Sequence, residues 1–291
     1  MYSYIFEITE KGYVMDTNKK IKIYACTAMG LAVLITVLRT LCLFYSYDVE
    51  TGYFNPSPLN TIANILIALA IIGTASARFI FQKDSLCTEL SPKHPTFRLS
   101  SLCSALITLL AAGYIATVGT FGLLGKIALV FSVISTAFYT LGVVAKSKFD
   151  IHRAFLSIAC IIAYIAVLAS LYFNMNVAMN SPHKIYGSFA LMVSMLLMLC
   201  ETRIYLGVSM PRAHIAFAAL TLIFGFSQSI SSFIFILSGA SQFAAIPVAL
   251  GNLGYGLLLL AVSVYAAARC FAFKTAEVSS EIKTKEIENG M

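Results

Sequence analysis

Eight stretches of apolar residues, each long enough to cross a bilayer, decide what this chain can fold into. They run over about Ile21–Tyr45, Leu59–Phe81, Leu99–Thr120, Leu123–Ala145, Ile151–Phe173, Ile185–Leu206, Ala213–Leu237 and Ala244–Phe271. A hydrocarbon core of about 30 Å needs roughly 20 apolar helical residues. In lipid every backbone N–H and C=O must be satisfied within the segment, so such runs are helices. Charged residues make up 11% of the chain, against about 25% in a soluble domain. The spans and their short loops consume nearly all 291 residues, leaving no room for a soluble catalytic domain of ordinary size. The fold class is therefore all-α and polytopic, with eight transmembrane helices over residues 21–271. The third and fourth spans form a tight hairpin through Gly119, Gly122 and Gly125.

The basic residues fix the expected orientation. Of the 20 Lys and Arg, Lys126 and Lys184 fall on one side and Arg39 lies within the first span; all the others gather on the opposite side. The positive-inside rule places that rich side in the cytoplasm. An even number of spans then puts both termini there. This distribution accounts for the net charge of +7 without nucleic acid as a partner, because the cations sit at span ends rather than in a patch. The expected partners are the lipid bilayer and other membrane proteins, in a cell membrane of bacterial inner-membrane type. Residues 1–20 and 272–291 read as cytoplasmic tails. The first tail has no apolar core of a signal peptide. Two readings of this tail stay open: Met15 as the true start if the gene is bacterial, since Glu10-Lys11-Gly12 can be encoded by a stretch resembling a ribosome-binding site just ahead of it, or a genuine short amphipathic tail.

No motif assigns a cofactor, a metal or a catalytic residue. The seven cysteines are widely spaced, without a CxxC pair or Cys/His ligand spacing, and read as reduced, buried, small apolar residues. Gly251-Asn252-Leu253-Gly254-Tyr255-Gly256 resembles a nucleotide loop only superficially. It lies inside an apolar run with no preceding strand, so helix packing explains it. Gly225-Phe226-Ser227 has the look of an intramembrane protease, yet all four histidines lie at or beyond span ends, out of reach of Ser227. His152, His214 and Glu201 share the basic side and would have to converge to form an interfacial enzyme.

Polar residues inside spans are costly and often functional. Arg39 lies six residues before the outer end of its span, about 9 Å below it. One expectation is that it snorkels outward to Asp48 or Glu50. The other is a fixed cation for an anionic group. Asn60 and Asn64 share a face of the second span, Gln228 sits mid-span among serines, and Asn252 and Tyr255 share a face of the last span. Amides and small residues of this kind commonly serve helix packing. Alternatively Arg39, Asn64, Gln228, Asn252 and Tyr255 form a ligand-binding set around an outward-opening cavity between the first, second, seventh and eighth spans. No acidic residue lies deep in a span, which argues against carboxylate-based proton or sodium coupling.

Spans two and six are entered alike, through Ser57-Pro58 and Ser181-Pro182, and left alike, through Arg78 and Arg203. This raises a four-plus-four parallel duplication. The leading functional expectation is transport or binding of a small polar or anionic ligand. The alternatives are an accessory membrane protein acting through helix contacts, and an interfacial enzyme on the cytoplasmic side.

Overall fold

A computed structural model describes residues 2–48, 53–81, 86–88, 95–118, 122–144, 150–173, 182–208, 210–238 and 250–275. It contains α1 (Tyr2–Tyr45), α2 (Pro58–Ala75), α3 (Ala77–Ile80), α4 (Pro95–Val118), α5 (Gly122–Val144), α6 (Asp150–Phe173), α7 (Pro182–Tyr205), α8 (Pro211–Leu237) and α9 (Leu250–Phe271). Eight of these helices are long and apolar enough to cross a membrane, over Thr17–Tyr45, Pro58–Ala75, Pro95–Thr117, Gly122–Val144, Ile151–Phe173, Lys184–Tyr205, Pro211–Leu237 and Leu253–Phe271. The chain is a polytopic α-helical membrane protein.

Six helices close a ring. Each of α4 to α9 packs on the next, and α9 returns to α4. α1 and α2 stand outside it, both resting on α8. α8 therefore has neighbours on almost every side: α1, α2, α7 and α9. Its composition answers to that position. Ser227, Ser229, Ser231 and Ser232 are all buried, and the last three donate to carbonyls one turn back. Small hydroxyls satisfied by their own helix let neighbouring backbones come close. Gly254 serves the same end on α9, since a Cβ there would lie 2.6 Å from Ile115 Cγ1 of α4.

The packing order does not carry the duplication. In a four-plus-four repeat, the contact of α1 with α8 would recur as a contact of α6 with α4. α6 packs instead on α5 and α7.

Local chemistry sets the helix ends. Ser57 caps α2, its side chain accepting the Asn60 N–H, with Pro58 in the first turn, where a missing N–H costs nothing. Ser46 and Ser57 hydroxyls meet at 2.8 Å, and Tyr47 pairs with Phe54 in an antiparallel bridge. Residues 46–48 and 53–57 are thereby held together at the end of the bundle opposite the basic end. Burial, reinforced by Asp48, pushes the Tyr47 phenol up, so it stays neutral. α2 ends earlier than its apolar run. A turn at Ser76, whose hydroxyl donates to the Gly73 carbonyl at 2.5 Å, separates it from α3.

Two three-residue strands, β1 (Leu86–Thr88) and β2 (Phe273–Thr275), pair antiparallel at the basic end. Leu86 and Phe273 cover a small apolar cluster with Ile21, Ala77, Phe81 and Ile215. The residues that follow α9 are thus tied to the connection after α3. Cys42, Cys160, Cys200 and Cys270 are buried, whereas Cys26 is exposed on the outside of α1.

Candidate functional site

Arg39 does not snorkel. Its side chain is 6% exposed and turns inward, away from Asp48. The guanidinium carbon lies 3.6 Å from the ring centroid of Tyr186 on α7. One terminal nitrogen donates to Gln228 Oε1 of α8 at 3.2 Å. The Tyr186 hydroxyl is in turn held 2.6 Å from Ser227 Oγ. Three helices therefore fix one cation. Among the described residues no carboxylate pairs with it, and Nε has no hydrogen-bond acceptor.

Magnitudes explain how the charge is tolerated. Placing Arg at the centre of a span costs about 2.5–3.5 kcal/mol on the insertion scale. A desolvated cation–π contact returns about 2 kcal/mol, and a hydrogen bond to a charged group about 1.5–3 kcal/mol. These neutral partners offset the cost of burial. They do not cancel the charge.

The cation lines a cavity of about 310 Å³. One wall is the face of α2 that carries Asn60, Ala63, Asn64, Ile67 and Ile71, at helical spacing. α7 supplies the opposite wall with Pro182, Ile185, Tyr186 and Phe189; Arg39, Cys42, Phe54 and Phe224 complete it. Arg39 lies six residues from the end of α1, and Asn64 six residues from the start of α2. Both are about 9 Å from their helix ends, so they meet at one depth.

Of the residues singled out in the sequence, the structure thus brings together Arg39, Asn64 and Gln228, with Asn60 beside them. Tyr255 lies elsewhere: it donates to Ser170 of α6 at 3.1 Å, inside the six-helix ring. Asn252 belongs to α9, but its side chain lies outside the described residues. Tyr186 was not among the residues picked out. Its signal was available, since it sits one helical turn after Pro182, near the depth of Arg39.

A second buried polar group occupies the basic end of the ring. Glu201 of α7 takes two bonds from Arg269 of α9, each 2.6 Å, and one contact with His214 Nε2 of α8 at 2.9 Å. All three side chains are fully buried. Arg269 also lies over Phe97, 5.2 Å from its centroid, and Arg153 of α6 over Tyr205 at 4.5 Å. This is a bidentate clamp across three helices. His152 does not join it, being exposed on α6. The convergence that an interfacial enzyme of His152, His214 and Glu201 requires is absent, and among the described residues no group of three metal-ligating side chains forms. Ser227 meets Tyr186 rather than a histidine.

No protein-family model, curated protein or solved structure matches this chain.

Proposed function

We propose that the protein binds a small anionic ligand at Arg39, entering from the side opposite the basic face, as a step in membrane transport or ligand sensing. The observation that supports this is a buried cation, unpaired with any carboxylate among the described residues, on the wall of a cavity. A fixed positive charge in a low-dielectric surround attracts an anion far more strongly than the same charge in water. Asn64 supplies an amide donor at the same level, and Asn60 a second one helical turn nearer the helix end. The cavity size falls at the lower end of small-ligand sites, about 300–1,000 Å³. With the basic face in the cytoplasm of a bacterial cell, the cavity faces outward.

The test is equilibrium binding of a panel of monovalent organic anions to the purified protein in neutral-lipid nanodiscs. Binding to the parent protein, retained in Arg39→Lys and lost in Arg39→Leu, supports the proposal. Equal binding by all three proteins contradicts it.

A further inference from the structure

The polar side chains of the cavity lie toward its outer end, and its floor is apolar. Arg39 and Asn64 sit about 9 Å from the outer helix ends. Ile71 and Phe224 are each thirteen residues from the outer ends of α2 and α8, about 20 Å down. Between these levels lie Ile67 and Phe189. A hydrophilic anion needs the upper level alone and leaves the lower one unfilled. A molecule with a charged end and an apolar body uses both.

The walls also open sideways. α2 leans on α1 and α8, and the cavity separates it from α7. Ile71 on one wall is 37% exposed, and Ile185 on the other 56%. At the depth of Ile71 the surrounding medium is hydrocarbon. A chain lying against Ile71, about 20 Å down, passes from the cavity into the bilayer without crossing water, whereas Ile185, about 5 Å from the outer end of α7, stands at the mouth.

We propose that the occupant is a single-chain lipid with an anionic headgroup, drawn from the leaflet opposite the basic face. This rests on the reading of Arg39 as an anion site. The headgroup meets Arg39 and Asn64, and the chain descends along Ile67, Ile71, Phe189 and Phe224. The volume suits one chain better than two: about 310 Å³, at the lower end of small-ligand sites, holds a headgroup and a short length of methylenes. The remainder of the chain extends between α2 and α7. Orientation is set by charge, since the cation lies on the headgroup side of the apolar floor, as it does for a lipid already in the leaflet.

The experiment measures binding to the full-length protein in phosphatidylcholine nanodiscs. The probes are palmitate and lysophosphatidate (charge with chain), hexadecanol (chain without charge), and acetate and inorganic phosphate (charge without chain). Palmitate, lysophosphatidate or both are expected to bind saturably. Hexadecanol, acetate and phosphate should each bind about tenfold more weakly or worse, a loss of about 1.4 kcal/mol. Ile71→Trp, which fills the apolar floor and leaves Arg39 in place, should weaken the anionic lipid about tenfold. If acetate or phosphate binds as tightly as palmitate, or Ile71→Trp changes nothing, the lipid assignment is overturned while the anion site stands. If hexadecanol matches palmitate, or Arg39→Leu alters no probe, the anion site itself fails. The hexadecanol comparison needs no substitution, so it decides even where Arg39→Leu does not fold.

Discussion

The Arg39 guanidinium lies 3.6 Å from the centroid of the Tyr186 ring, and this contact joins a helix outside the six-helix ring to one within it. A cation held by a π-face keeps its charge available, whereas one held by a carboxylate does not. The proposed function depends on that difference.

Tyr186 separates two roles by substitution. Tyr186→Phe keeps the ring and loses the hydroxyl contact with Ser227, so anion affinity should change by a fewfold at most. Tyr186→Leu removes the π-face that holds the guanidinium, with a desolvated cation–π contact of about 2 kcal/mol at stake. Affinity should fall by about tenfold or more. Titration of both variants with the same anion checks this.

Glu201 is the sole carboxylate between Arg269 and His214 among the described residues. Glu201→Ala leaves a buried guanidinium uncompensated, which costs about 3–5 kcal/mol. We expect a large drop in thermal stability in detergent and low yield. The double variant Glu201→Met/Arg269→Met removes both charges and should recover much of that loss. Anion binding by the folded fraction should be unchanged, because the clamp lies at the end of the bundle remote from Arg39.

Gly254 and Gly30 form a contrasting pair. A Cβ at Gly254 would meet Ile115 of α4 at 2.6 Å, while nothing lies within 4 Å of one at Gly30. Gly254→Val should destabilise by about 1–3 kcal/mol through overpacking. Gly30→Ala should be neutral or mildly stabilising, since Ala is favoured over Gly in helices. Paired melting curves in one detergent give the comparison.

Span number and approximate bounds were legible because hydropathy alone decides them in lipid. The differences arise where tertiary contacts overrule it. α2 breaks from α3 at Ser76, whose hydroxyl bonds back to Gly73, inside a run that hydropathy reads as continuous. The β1–β2 pair joins Leu86 to Thr275 across most of the chain, too short and too distant to leave a local pattern. For the candidate site, rise per residue is fixed, so the shared depth of Arg39 and Asn64 was legible, with Gln228 about one turn deeper. Direction was not legible. Whether Arg39 turned to Asp48 or inward depended on Tyr186, on a helix nearly 150 residues later. The pairing of Glu201 with Arg269 was not legible for the same reason: the ring that encloses them is a property of packing order, invisible in any single span.

The charge of the cavity can be read by chemistry at Asn64. In a Cys42→Ala background, Asn64→Cys would be modified from outside by two membrane-impermeant methanethiosulfonates, one bearing a sulfonate and one a trimethylammonium. Faster reaction of the sulfonate reagent is predicted, with the preference abolished or reversed when Arg39 is replaced by Leu. Equal rates for the two reagents in the presence of Arg39, or no reaction at all, would contradict a cationic cavity open to that side of the membrane.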